Sequence, residues 1–413
     1  MRIQTDFPSE VKEALQRLEA SGFQAYVVGG AVRDILMGIT PRDYDLATSA
    51  TPSQIQEVFK DYRMVTAGIK HGTVSPIINY KLVEITSFRS DGSYQDHRHP
   101  DRVRFGSSLE EDSSRRDYTI NSIYCDIEGE LHDPQNGIED IKNRLVRAVG
   151  NPEERFREDA LRIPRGILLA AKLDFDIDIN TSDAMRSEAP LIEFISRERC
   201  TETLLRLLQL ESSFRYIRLY PEVFSYLLPS YLHESWVRLP DQASKSVNSN
   251  LAALFLGYSE KDDSLEDQLL AIKLSRVQIT LTKNLLEIPE HYTIFSLNDK
   301  LLFRRFLLET DEIDPSTAVL FLSLRDAFNG NISSDPAPAL QALETDPLLQ
   351  NVPTDIKDLK IDGNTLLNLG FPRSKVIAST LKELLLEINQ MRVDNSEEVQ
   401  VDWAKEKLKS LEE

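Results

Sequence analysis

Apolar positions in residues 9–20 (SEVKEALQRLEA) recur at helical spacing, and a short apolar run from Ala25 to Val28 follows, closed by a Gly-Gly pair. This pattern predicts a helix, a strand and a glycine turn, with a second helix starting over residues 33–37. Strand-like alternation predicts two further strands, at 43–47 (DYDLA) and 82–88 (LVEITSF). At Asn151-Pro-Glu-Glu154 several helix-start signals coincide: a capping asparagine, a proline at the first helical position and two early acids. Helical spacing then runs almost to the last residue. Residues 1–150 are therefore expected to form a mixed α/β domain and the remainder to be all-helical. Weak punctuation near 244–250, 333–338 and 352–359 divides the helical part, and there is no fixed-period repeat or low-complexity tract.

A chain of 413 residues has room for two to four domains, at about 100 to 200 residues each. With 41% hydrophobic and 28% charged residues, neither disorder nor membrane insertion is needed to explain the composition. The first residues hold no apolar stretch of signal-peptide length, and no run of about 18 apolar residues occurs, so a cytoplasmic location is expected. Cys125 and Cys200 form no CxxC pair, which argues against a disulfide framework and a cysteine zinc site. His97 and His99 fall in a polar loop and are read as solvated. The net charge of −19 argues against a nucleic-acid ligand until the charge is resolved locally. Between Lys142 and Lys172 there are eight basic residues against four acidic ones.

The candidate chemistry begins at Tyr26-Val-Val-Gly-Gly-Ala-Val-Arg-Asp34. Gly29 and Gly30 between a buried strand and a helix start let backbone N–H groups approach an anion, and Arg33 adds a charged fork. Most Gly-Gly pairs simply make a turn. About a dozen residues later, Asp43 and Asp45 stand at i and i+2 in a strand-like segment and so share one face. Two such carboxylates suit a two-metal phosphoryl transfer with magnesium, one ion activating a 3′-hydroxyl and the other steadying the triphosphate. An isolated Asp-x-Asp is more often a solvated strand end.

GGAVRD followed by DYDLAT resembles the signature of the polymerase-beta-like nucleotidyltransferases, specifically their bacterial tRNA nucleotidyltransferase and poly(A) polymerase branch, which includes the CCA-adding enzymes. The resemblance implies an α+β fold: a catalytic head over 1–150 with a mixed sheet, a helical neck over 151–215, a helical body over 216–335 and a helical, tRNA-binding tail over 336–413. It implies Glu84 as a third acid near the metals. ITSFRSDGSYQDHRHPDRVRF resembles the family's flexible loop, and the segment 89–98 is the expected moving part. SLEEDSSRRDYTINSI resembles its second motif, in which Arg116 would meet the triphosphate and Asp117 the ribose. FREDALRIPRG resembles its base-reading motif.

Asp159 and Arg162, three residues apart, are expected on one helix face, where a carboxylate and a guanidinium can pair with the donor–acceptor edge that cytosine and adenine share. Guanine and uracil present the opposite order. Each good bidentate pair is worth about 1 to 3 kcal/mol, against about 0.3 to 0.5 for an ordinary intrahelical ion pair. The chain departs from the family pattern at Pro164, expected to kink this helix, and at Leu168, where the family commonly has a nucleotide-contacting arginine. Arg165 is carried over as nucleotide-binding; Leu168 is not.

The resemblance implies addition of CCA to the 3′ end of tRNA from CTP and ATP, with Mg2+ as cofactor and no protein partner. Addition of the terminal A alone stays open. Poly(A) synthesis is disfavoured by the mixed charge of VDWAKEKLKSLEE. A catalytically silent RNA-binding homologue is disfavoured by the intact Asp43 and Asp45.

Overall fold

The computed structural model describes residues 1–4, 6–91, 103–258, 264–331, 334–350, 352–353, 355–373 and 375–412. The chain divides into two compact units, 1–212 with 216–230, and 213–215 with 231–413.

In the first unit, helix α1 (Ser9–Ala20) buries Val11, Ala14, Leu15 and Leu18, the stripe its spacing predicts. Strand β1 (Ala25–Val28) is buried throughout. Helix α2 (Gly30–Leu36) starts earlier than the apolar pattern suggested, because Gly29 turns the chain at φ 77°, ψ −136° directly into it. Strand β2 (Asp45–Thr48) leads to α3 (Pro52–Val58), which Thr51 and Gln54 cap reciprocally.

Strands β3 (Met64–Val65), β4 (Thr73–Ile78), β5 (Lys81–Leu82) and β6 (Glu84–Ser87) follow. The single strand expected over 82–88 is thus divided. Lys81 and Leu82 hairpin back onto β4, whereas Glu84–Ser87 lies between β4 and β2. Strands β7 (Arg89–Asp91) and β8 (Val103–Phe105) form a separate antiparallel ladder. Residues 92–102, the rest of the expected flexible loop with His97 and His99, lie outside the described residues.

After α4 (Leu109–Ser114), strands β9 (Tyr124–Cys125) and β10 (Leu131–His132) complete an eight-stranded sheet of order β10-β9-β1-β2-β6-β4-β3, with β5 on β4. Only the β2–β6 pair in it is parallel. One face, with Val27, Leu46, Val74 and Ile85, packs into the main core with α1 and α3. The other holds Tyr26, Val28, Ala47, Phe88, Leu109 and Tyr124.

Helix α5 (Gly137–Lys142) and strand β11 (Leu145–Val146) lead to α6 (Pro152–Glu158), which starts as the sequence predicts: Asn151 accepts from the N–H of Glu153, with Pro152 in the first turn. Helix α7 (Arg162–Leu173) follows. The region past 150 is not all-helical, since β12 (Asp176–Ile177) pairs in parallel with β11. A two-residue strand leaves no periodicity to read, and a partner about 30 residues away in sequence stabilises it. Asp178 then ends the strand and caps α8 (Ile179–Ser187), and α9 (Arg197–Leu207) follows.

Regular structure in the second unit is entirely helical among the described residues. Helices such as Lys300–Glu309 and Pro315–Phe328 surround one core, while Gly363–Leu369, Lys375–Asn389 and Glu397–Glu412 surround another. Buried Arg304 donates to the carbonyls of Leu348 and Ile388, satisfying polar groups at the ends of two helices. Among the described residues no helix is long and apolar enough to cross a membrane.

Candidate active site

The C-terminal end of β1 and the N-terminal ends of β2 and β6 meet at one edge of the sheet. The antiparallel register sets Val28 beside Asp45, and the parallel register sets Asp45 beside Glu84. Side chains at paired positions share a face, so Asp45 and Glu84 stand together on the Tyr26–Ala47 face. Asp43 lies in the irregular segment two residues before β2. All three carboxylates are exposed, and none takes a hydrogen bond or ion pair among the described residues. The packing around Asp45 strips hydration from its charge even though its tip reaches solvent. That loss, with repulsion from Glu84 and Asp43, raises its pKa; Arg116 opposes the shift.

Gly29 and Gly30 border this edge. A Cβ on Gly29 would lie 4.0 Å from both Arg116 Nη1 and the Asn121 carbonyl oxygen, so the turn has space in front of it. Arg33 is buried at 4% exposure. Its Nε and Nη2 donate to Asp34 Oδ1 at 2.9 and 2.6 Å, and its Nη1 to Asn121 Oδ1 at 2.7 Å. In this conformation its fork is taken up by Asp34 and Asn121.

The second motif centres on a residue the sequence reading passed over. Asp112, 1% exposed in α4, accepts through Oδ2 from Arg116 Nε and Nη2 at 3.1 and 3.0 Å, and from the Tyr124 hydroxyl at 2.7 Å. Its Oδ1 accepts from Arg115 and from the Arg89 N–H. Burial works to raise its pKa, but Arg116 and then Arg115 outweigh it and hold the carboxyl below its usual value. The available signal was spacing: an acid three and four residues ahead of two arginines on a capped helix. Asp117 pairs with Arg165 at 2.8 Å. Burial again pushes upward, while Arg165, Arg162 and the Tyr118 N–H hold the Asp117 carboxyl low.

The expectation of Asp159 and Arg162 on one helix face is corrected. Helix α6 ends at Glu158, Asp159 is extended (φ −142°, ψ 99°), and α7 begins at Arg162. The Asp159 carboxylate accepts from the N–H of Leu161, and this local bond competes with helix continuation. Pro164 therefore does not kink a running helix. It occupies the first turn of α7, where a missing N–H breaks no helical bond.

The Arg162 guanidinium is buried and engaged: Nη1 donates to the Arg155 carbonyl and to Glu158, and Nη2 to the Arg115 carbonyl. No hydrogen bond joins its side chain to Asp159 in the described structure. Tyr118, also unforeseen, donates to the Arg162 carbonyl at 2.6 Å and packs where Gly166 leaves room.

Residues 25–147 match the family described as the poly(A) polymerase head domain, and residues 174–231 the probable RNA and SrmB-binding site of polymerase A. The CCA-adding enzyme of Enterococcus faecalis is 48% identical over 207 residues, 49% of this chain and 50% of that protein. That of Ligilactobacillus salivarius is 44% identical over 206 residues, 49% of this chain and 50% of that protein. The chain therefore spans about half the length of the curated relatives it matches. By fold the likeness extends further. A crystal structure of the Bacillus stearothermophilus CCA-adding enzyme in complex with CTP aligns over 98% of both chains, with a TM-score of 0.73 and 29% identity. Likeness to the polymerase A family thus covers residues 25–147 and 174–231, while the likeness in fold runs along the chain.

The likeness of residues 25–147 to the poly(A) polymerase head domain points to a divalent metal requirement. The donor set fits one: exposed carboxylates without protein partners, two of them beside each other by strand register. Among the described residues no three His, Cys, Asp or Glu side chains come together as an enclosing metal cage. Hard cations that work on triphosphates are typically held by one or two carboxylates, with substrate phosphates and water supplying the rest.

Proposed function

We propose that this protein adds CCA to the 3′ end of tRNA without a nucleic-acid template, using CTP and ATP. The observation that carries the reading is the edge where Asp45 and Glu84 stand side by side, with Asp43 just ahead, the open Gly29–Gly30 turn next to them and Arg116 opposite. The names of its relatives supply the reaction class. The tRNA 3′-hydroxyl attacks the α-phosphate in line, forming a new P–O bond as the bond to pyrophosphate breaks. Magnesium held by Asp43 and Asp45 would supply charge neutralisation at the attacked phosphate and the leaving group.

Each protein group has a task in that scheme. Glu84 adds negative charge beside Asp45 and strengthens the site's demand for a cation. The backbone at Gly29 and Gly30, with Arg33 beside it, admits the phosphates, and Arg116 binds the triphosphate. Asp117 takes the ribose, and Arg165, its partner in the free protein, is released toward the nucleotide. Asp159 and Arg162 read the base edge, which requires Arg162 to exchange Glu158 and the two backbone carbonyls for the base. Residues 1–150 serve as head, 151–215 as neck, and 216–335 and 336–413 as body and tail for the tRNA. The reading places the protein in the cytoplasm with its substrates.

The test is incubation of the protein and magnesium with three tRNA transcripts, ending before CCA, after C and after CC, with each nucleoside triphosphate alone and together. All three should extend to CCA, with GTP and UTP refused. Extension of the CC-ended transcript alone would replace the reading with A addition, and no extension at all would overturn the enzyme.

A further inference from the structure

Among the described residues Arg116 is the one guanidinium that reaches toward both the Gly29 turn and Asp45, so the direction of its fork matters more than its presence. That direction is imposed from behind. Two of its three nitrogens are committed: Nε and Nη2 to Asp112 Oδ2, and Nε also to the Tyr124 hydroxyl at 2.9 Å. The guanidinium carbon sits 5.1 Å from the centre of the Tyr124 ring, which limits its tilt. Nη1 has no partner among the described residues and is the nitrogen nearest Gly29.

Tyr124 is itself immobile. It is fully buried in β9, packed edge-on against Tyr26 and Phe88, and its hydroxyl donates to Asp112 while accepting from Arg116. A hydroxyl with one proton can serve both neighbours only in this order. Asp112 divides its oxygens, giving Oδ2 to Arg116 and Tyr124, and Oδ1 to Arg115 and the Arg89 N–H. Arg115 in turn donates to the Arg89 carbonyl at 3.1 Å, so the same carboxylate fixes the start of β7.

We propose that Asp112 and Tyr124 are positioning residues for the nucleotide's triphosphate: together they lock Arg116 so that its free Nη1 edge meets the phosphates above the Gly29 turn. This rests on the nucleotidyltransferase reading for the identity of the ligand, and on the hydrogen bonds alone for the locking. Neither residue touches substrate. A correctly aimed charge-assisted donor binds phosphate strongly, whereas the same charge on a loose side chain loses much of that advantage.

The discriminating variant is Tyr124→Phe, which keeps the buried ring and removes only the shared hydroxyl. Binding of ATP and of AMP is measured by calorimetry, alongside KM for ATP, KM for tRNA and kcat. ATP affinity should fall about tenfold, the size of one hydrogen bond to a charged group, with AMP affinity unchanged. KM for ATP should rise by the same factor and KM for tRNA should stay put. Asp112→Asn should lose ATP affinity by a larger factor.

Equal loss for ATP and AMP, or no loss in Tyr124→Phe, would overturn the proposal. Should Asp112→Asn not fold, Tyr124→Phe decides alone. If wild type binds ATP but extends no tRNA, the functional reading fails while the ATP-to-AMP ratio still judges the positioning.

Discussion

Asp45 is held where its charge is unwelcome, between packing that strips water from it and the neighbouring carboxylates Glu84 and Asp43. Folded Asp45 takes up a proton more readily than it would in the unfolded chain. The ionised form therefore detracts from stability at neutral pH, and that penalty disappears as pH falls through the raised pKa. Asp45→Asn should melt at a higher temperature than wild type at pH 7, with the difference closing as pH falls to about 3, below the ordinary aspartate pKa of about 3.9. Nucleotide addition should meanwhile fall by at least about 10²-fold, as expected for an electrostatic group at the reacting centre. Thermal melts across pH beside a tRNA-extension assay check both. A variant no more stable than wild type at pH 7 would remove the electrostatic account. The identity of Asp45 was legible from its spacing to Asp43, but the cost of its charge was not, because it comes from neighbours that strand register brings in.

Helix α7 shows how elements constrain each other around the site. A Cβ on Gly166 would fall 2.0 Å from the Tyr118 hydroxyl oxygen and 2.5 Å from Met185 Cε, so the helix can lie against the second motif only with glycine there. Tyr118 uses that proximity to hold the Arg162 carbonyl, and Arg162 and Arg155 reach back to the carbonyls of Arg115 and Ser114. Gly166→Ala should destabilise the protein by about 1 to 3 kcal/mol through overpacking, read from the urea midpoint. It should also weaken discrimination of CTP and ATP against UTP and GTP, because α7 must shift to make room. Unchanged stability and selectivity together would mean the contact relaxes freely. The start of α6 could be read locally from Asn151 and Pro152. Its end at Glu158 could not, since the Asp159 cap and the Arg162 contacts decide it.

Across the whole molecule, the basic segment that made RNA binding plausible is already neutralised by partners. Lys142, Arg144, Arg147, Arg155, Arg157, Arg162 and Arg165 each form an ion pair, with acids that include Asp140, Asp174, Asp178 and Glu188. Within this segment Lys172 alone forms no ion pair among the described residues, so on a background net charge of −19 the segment offers few cations to neutralise phosphates. Raising salt from about 50 to 200 mM should therefore weaken tRNA binding by less than about 10²-fold, whereas six to ten phosphate contacts would cost about 10³- to 10⁵-fold. Fluorescence anisotropy with labelled tRNA checks this, and a steeper fall would mean that the pairs open to meet the RNA.

Features carried by neighbours along the chain were settled by the sequence alone: the buried stripe of α1, the span of β1, the glycine turn and the capped start of α6. Each depends on side chains within about four residues of one another, the range over which periodicity and capping act. Only the tertiary structure placed Glu84 against Asp45, paired β12 with β11, and brought Arg89 and Tyr124 to Asp112. Parallel strand pairing and buried charge networks close over long stretches of chain. They are selected by burial and by the cost of leaving a charge unpaired, and neither leaves a repeating mark in the residues that take part.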